Sequence, residues 1–155
     1  MDLPPFQTVL DDQGRDVHRF LVATVGPLDA QDCYQETWLA ALKAYPRLRD
    51  ASNLRAWILT VAHRKAIDHI RARNRRATPV AELPETAVPP VEPDGVPEIW
   101  NHVRALPPKQ RTAIALRTVA DLAYVDIARI MGTSEEAARR SVHEALTRLR
   151  TEVSP

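Results

Sequence analysis

NLRAWILTVAHRKAIDHIRARNRR, residues 53–76, is the stretch on which the fold turns. Laid out as one helix at about 100° per residue, it changes character along its length. Leu54, Trp57, Ile58 and Val61 form one apolar stripe, and Leu59, Ala62, Ala66 and Ile70 a second, rotated round the axis. A helix start that is apolar on two sides belongs between neighbours. Further on, Arg64, Asp68, Arg71 and Arg75 recur at steps of four, three and four, with Lys65, Arg73 and Arg76 beside them. A buried start and a cationic end describe a helix anchored in a small all-α domain and offered to a polyanion.

The charge is segregated in the same way. Residues 1–46 carry 3 cations against 7 carboxylates, residues 47–77 carry 9 against 2, residues 78–97 carry 0 against 4, and residues 98–155 carry 9 against 7. A net charge of +1 therefore hides a strongly basic segment between two acidic ones. Such segregation bears on partners and steering rather than on fold.

With one cysteine, Cys33, the chain has no intrachain disulfide. His18, His63, His69, His102 and His143 are scattered without the close pairs of a zinc site, so no metal and no cofactor is expected. No apolar run approaches the roughly 20 residues of a membrane span. The start, MDLPPFQTVLDDQ, lacks the basic and apolar regions of a signal peptide. These features point to a soluble protein of the reducing cytoplasm, without membrane insertion.

Upstream of the opening stretch, Phe6 to Val25 reads as one or two helices with Leu10, Val17, Phe20, Leu21 and Val25 inward. Gly26-Pro27 ends it. Asp29 stands where an N-cap belongs, with Asp32 three residues on, and a helix follows to about Tyr45. Tyr34, Trp38, Ala41 and Tyr45 make its core face. Asp32, Gln35, Glu36, Leu39 and Lys43 make the other, which periodicity alone would leave to solvent, although a protein partner fits it too. Pro46 stops this helix, and Ser52 or Asn53 caps the next.

Downstream, Thr78 to Pro97 has six prolines, four carboxylates and no cation. That composition predicts an acidic, Pro-rich linker (78–97) between an N-terminal helical domain (1–77) and a C-terminal one (98–155). In the second domain a short helix from Ile99 ends at Leu106-Pro107-Pro108, and the next runs to about Val119. Tyr124 to Met131 reads as a short helix burying Ile127, Ala128 and Met131, stopped by Gly132. Thr133 and Glu136 offer a capping box to the last helix, which buries Ala138, Val142, Ala145 and Leu149. This is a helix-turn-helix pattern, whose second helix enters a major groove. Glu135, Arg139, Arg140, His143 and Thr147 point outward on it. A charged αα-hairpin need not bind DNA, but a separate basic helix in the same chain favours that reading.

These residues carry a family resemblance. Asp29-Ala30-Gln31-Asp32-Cys33-Tyr34-Gln35-Glu36-Thr37-Trp38 resembles the D-A-E-D-x-x-Q-E-T-F signature of bacterial sigma-70-type factors, with Gln31 and Trp38 as departures. Leu54 to Ile58 and Ala66 to Arg71 are similar to its F-R-A-W-L and A-x-D-x-x-R. Leu106 to Arg111 matches its L-P-x-x-x-R, and Tyr124 to Gly132 its Y-x-E-I-A-x-x-L-G, with Asp126 and Met131 substituted. Four motifs in family order resemble the two-domain, extracytoplasmic-function (ECF) group of sigma factors.

The resemblance implies a non-enzymatic factor that binds core RNA polymerase, recognises and melts promoter DNA, and initiates transcription. It assigns core polymerase binding to Asp32, Gln35, Glu36 and Leu39. It assigns the minus-ten element to Asn53, Arg55, His63, Arg64, Lys65, Arg71 and Arg75, and the minus-thirty-five element to Arg139, Arg140, His143 and Thr147. Trp57 belongs to the core rather than to a stacking wedge. The linker would thread toward the polymerase channels, and an anti-sigma factor is a possible partner. Where the family often has Gly-Thr-Val-Lys-Ser-Arg, this chain has Glu136-Ala137-Ala138-Arg139-Arg140-Ser141, and fewer cations weaken the salt-dependent part of binding. The alternative is a helix-turn-helix regulator that does not engage polymerase. Neither reading requires catalytic residues of this chain.

Overall fold

Glycine and proline set the helix boundaries in the computed structural model, which describes residues 3–77 and 98–153. The linker reading lies outside the described residues. Phe6–Val25 forms a single helix, α1, and Gly26 ends it at φ 93°, donating its N–H to the Val22 carbonyl at 3.1 Å. Gly14, in its middle, lets the Tyr34 hydroxyl approach closely, since a Cβ there would lie 2.8 Å from that oxygen and displace it.

Helix α2, Pro27–Ala44, starts two residues earlier than the expected Asp29 cap. Pro27 takes the first helical position, where its missing N–H costs nothing, and Asp29 falls within the first turn. A 3-10 turn, Tyr45–Arg47, follows. Helix α3, Leu54–Ala77, opens on Asn53, whose Oδ1 accepts from the Ala56 N–H at 3.0 Å.

Helices α1 to α3 close on Val17, Phe20, Leu21, Ala30, Cys33, Ala41, Ile58, Leu59, Ala62 and Ala66, all buried. Of the two stripes on α3, the second has Leu59, Ala62 and Ala66 buried and Ile70 half-buried, while in the first Ile58 alone is buried and Leu54, Trp57 and Val61 are half-buried on the core's edge. Trp57 tilts against Tyr45 with ring centroids 5.9 Å apart, a packing contact rather than a free wedge. Phe6 closes the same edge, 5.8 Å from Trp38 and 5.2 Å from Tyr45.

Burial pushes the Cys33 thiol up to about 11, with the Glu36, Asp29 and Asp32 carboxylates adding to the effect. Only the thiolate is reactive. The native chain is therefore expected to resist Ellman's reagent at pH 8 and to react once unfolded in urea, as read by thionitrobenzoate release.

The second helical set comprises α4 (Ile99–Arg104), α5 (Pro108–Thr118), α6 (Tyr124–Met131) and α7 (Glu135–Val153). Gly132, at φ 67°, ends α6 in a left-handed turn. There Thr133 donates to the Ala128 carbonyl at 2.9 Å and Gly132 to the Arg129 carbonyl at 3.3 Å. The cap of α7 is Ser134, whose hydroxyl accepts from the Ala137 N–H at 3.1 Å. Ala138, Val142, Ala145 and Leu149 are buried as the periodicity predicts, whereas in α6 Ile130 goes inside and Met131 only halfway.

The two sets also pack on each other. Helix α1 lies against α4 and α5, and α3 against α6, so that Leu116, Ala120, Leu122 and Ile127 join the core cluster of α1 to α3. Polar contacts also cross this junction. Arg111 donates to the Thr24 carbonyl at 3.1 Å, Arg55 Nε to the Ala120 carbonyl at 3.0 Å, and Asn53 Nδ2 to Asp126 Oδ1 at 3.3 Å.

Candidate nucleic-acid interface

Each surface that sequence reasoning singled out is built on a helix whose opposite face is buried. On α7 the residues Arg139, Arg140, His143 and Thr147 are all exposed, one side round from Ala138, Val142 and Ala145. The turn at Gly132 and the packing of α7 on α5 and α6 hold this face rigidly outward. Arg139 is held further. Its guanidinium pairs with Glu135 at 3.0 Å and stacks 4.5 Å over the Tyr124 ring, whose centroid is 4.3 Å from the Arg117 guanidinium. A cation over an aromatic face is an attractive arrangement.

On α3 the assigned residues separate into two groups. Arg64, Arg71 and Arg75 are exposed and Lys65 is half-buried, so the cationic end is presented as expected. Asn53 and Arg55, at the other end, are engaged within the chain. Asn53 caps α3 with its oxygen and reaches Asp126 with its nitrogen. Arg55 pairs with Asp16 at 2.7 Å and Gln13 at 2.9 Å, and both its Nε and its Nη2 donate to the Ala120 carbonyl. Burial, with Arg64 adding to it, holds His63 below the ordinary imidazole range. It is therefore neutral at pH 7 and offers hydrogen bonds without a charge for phosphate.

The second face of α2 is open: Asp32, Gln35, Glu36 and Leu39 are exposed, with Leu39 59% accessible. It adjoins two shallow grooves. One, of about 460 Å³, lies between this face and Asp68, Ala72 and Arg76 of α3. The other, of about 560 Å³, is mostly apolar and runs past Phe6, Leu10, Trp38, Leu39 and Leu42. Sequence reasoning missed Leu42, 52% exposed and three residues beyond Leu39 on the same side, and that spacing was the available signal. It also missed the indole N–H of Trp38, which is buried without an acceptor among the described residues. A further missed cluster joins α2 to α3: the Asp29 carboxylate meets His69 at 3.3 Å and Arg73 at 3.2 Å.

No group of three His, Cys, Asp or Glu residues among those described could hold a metal ion. No described helix is long and apolar enough to cross a membrane.

Comparison with known proteins accounts for both helical sets. Residues 10–76 match the family model for sigma-70 region 2, and residues 98–149 that for sigma-70 region 4. The ECF RNA polymerase sigma factor SigD of Mycobacterium tuberculosis is 36% identical over 151 residues, covering 88% of this chain and 71% of that protein. SigC of the same species is 30% identical, covering 91% and 79%. Among solved structures, the sigma factor RpoE in complex with the anti-sigma factor NepR from Bartonella quintana superposes with a TM-score of 0.78. It covers 97% of this chain and 98% of that one, at 21% identity. CnrH, in complex with the cytosolic domain of CnrY, gives 0.71 at 19% identity, covering 96% and 86%. Both show the same fold. The chain belongs to the sigma-70 family, in the ECF group of RNA polymerase sigma factors, and serves promoter recognition and transcription initiation.

Proposed function

We propose that residues 1–77 bind core RNA polymerase and the minus-ten element, that residues 78–97 link them to 98–155, and that the latter bind the minus-thirty-five element. The observation that carries this reading is the exposed face of α7, Arg139, Arg140, His143 and Thr147, fixed outward by the turn at Gly132. Arginines at such positions can contact guanine bidentately in the major groove. Arg64, Lys65, Arg71 and Arg75 meet the phosphates of the minus-ten strand, and Asn53, Arg55 and His63 act at its edge. Splaying a base from the duplex is offset by stacking and hydrogen bonds in a protein pocket.

Asp32, Gln35, Glu36 and Leu39 form the polymerase-binding face, which Leu42 extends. Two exposed leucines among carboxylates favour a protein partner over the polymerase-independent regulator, which has no use for that face. The chain acts in the cytoplasm and supplies no catalytic group, nucleotide transfer being the polymerase's. By likeness to RpoE, solved with NepR, an anti-sigma factor is a further partner.

Purified chain added to core polymerase should yield discrete promoter-specific transcripts from genomic DNA. Asp32→Lys with Glu36→Lys should weaken core polymerase binding at least about 10-fold, the scale of like-charge contacts at an interface. Duplex DNA binding by the free chain should persist in that variant. Absence of any specific transcript overturns the sigma reading, and unchanged polymerase binding by the double variant moves the docking face elsewhere.

A further inference from the structure

We propose that Tyr124, one helix before the outward face of α7, is a positioning residue for base recognition. With Glu135 it sets the Arg139 guanidinium to read a guanine of the minus-thirty-five element. The proposal rests on the reading that this face of α7 binds that element. Tyr124 opens α6, is half-buried, and packs against both core clusters of the chain. A ring anchored in that way is a fixed platform rather than a mobile side chain.

Two guanidiniums use the platform. Arg117, near the end of α5, lies 4.3 Å from the ring centroid and donates through Nη1 to the Leu122 carbonyl at 2.9 Å. That bond ties down the α5–α6 connection two residues before Tyr124, and Arg117 is itself half-buried. Arg139, on α7, lies 4.5 Å from the same centroid and donates through Nη2 to Glu135 Oε1 at 3.0 Å. An exposed arginine is thus held twice, by a ring and by a carboxylate one turn back. Arg140 is exposed too, but among the described residues neither a ring nor a carboxylate holds it.

The held geometry keeps a reading edge available. A guanidinium has five N–H groups in a rigid fork, two of them on Nη2. Glu135 takes one hydrogen of Nη2, and the other pairs with a hydrogen of Nη1 to match guanine O6 and N7. Stacking on a ring uses the face of the guanidinium and not its N–H edge. Fixing the side chain beforehand reduces the freedom it loses on binding. It also fixes the angle of the fork, which a base edge requires and a phosphate does not. Positioning therefore acts on discrimination between bases more than on attraction to DNA.

The test uses the full chain bound to core RNA polymerase, with a duplex enriched from a library randomised over the upstream half of the promoter. Guanines in that half are replaced one at a time by adenine, and equilibrium binding is measured. At the guanine that Arg139 reads, wild type should lose about 5- to 150-fold, the scale of one mismatched pair. Arg139→Ala identifies that guanine by being indifferent to its replacement.

Tyr124→Leu should lower the discrimination there by about 2- to 5-fold, the scale of a cation over a ring at an exposed site. Discrimination at other positions and the slope of log K against log salt should stay at wild-type values, because Tyr124 is given no phosphate to contact. Tyr124→Phe, which keeps the ring, should restore discrimination. Glu135→Ala should discriminate less at the same guanine while binding every duplex more tightly, since a carboxylate facing the phosphates is removed.

Wild-type discrimination by Tyr124→Leu at the guanine that Arg139→Ala identifies overturns the positioning role and leaves the minus-thirty-five reading intact. A loss of affinity spread evenly over all duplexes does the same, marking Tyr124 as a structural residue alone. If Arg139→Ala discriminates as wild type at every guanine, Arg139 reads no base and the proposal falls. If the Arg139→Ala, Arg140→Ala double variant also binds as wild type, the reading beneath it falls as well. Should Tyr124→Leu lose its helical circular dichroism, Glu135→Ala, at an exposed position, decides: unchanged discrimination there overturns the proposal.

Discussion

Phe20→Ala is expected to lower the unfolding free energy by about 3–5 kcal/mol, the range for emptying a large aromatic site in a packed core. Phe20 is the largest of the fully buried side chains and has no measurable exposure. It belongs to the cluster that joins α1 to α3 with Leu116, Ala120 and Leu122 of the second helical set. The cavity would therefore open within a cluster to which both sets contribute, and helices held by their own backbone bonds cannot collapse far to fill it. At a urea dependence of about 2 kcal/mol per molar, the midpoint should fall by about 2 M. Coincident loss of helical ellipticity and tryptophan fluorescence would show both sets failing together. A loss below about 1 kcal/mol would mean that this core is not the common support.

Arg139→Ala with Arg140→Ala should reduce binding to a duplex promoter fragment by about 10- to 100-fold for each arginine–guanine pair removed, on the scale of 1–3 kcal/mol per bidentate pair. Both side chains are exposed, so thermal stability should be nearly unchanged, and a fall in affinity then reports on the DNA interface itself. The two arginines are not equivalent. The Arg139 guanidinium sits 4.5 Å over the Tyr124 ring centroid while pairing with Glu135, a pair of contacts that an ammonium does not reproduce. Arg139→Lys should thus lose most of what Arg139→Ala loses, by electrophoretic mobility shift. Retention of full affinity by the double alanine variant would remove α7 from the interface.

Sequence periodicity carried the helices because their breakers are unambiguous: Gly26-Pro27, Pro46, Leu106-Pro107-Pro108 and Gly132 each stand where a helix ends or begins. The buried row of α7 was legible for the same reason, since steps of four, three and four leave little choice of face. Cap positions slipped by one residue at α7 and by three at α2, where several hydrogen-bonding side chains adjoin. Ser134, next to Thr133, caps α7, and Asp29 was drawn to His69 and Arg73 instead of to its own backbone.

The fate of Arg55 was not legible at all. Its principal partner across the junction is a backbone carbonyl, which has no signature in the residue string, and in sequence it looks like any other cation of α3. The environment of His63 was not legible either, because the burial that lowers its pKa is a property of packing. The apolar groove at Trp38 and Leu42 needed α1 and α2 to be placed side by side before it existed.

Helix α3 is also a ruler. Its 24 residues give a rod about 36 Å long, close to one turn of duplex DNA. The exposed cations from Arg64 to Arg75 occupy about 16 Å of it, at 1.5 Å per residue. Phosphates on one strand of duplex recur every 3.4 Å along the axis, so this run can lie along about five of them. The footprint of the cationic end is thereby bounded by backbone geometry, whatever its individual side chains read.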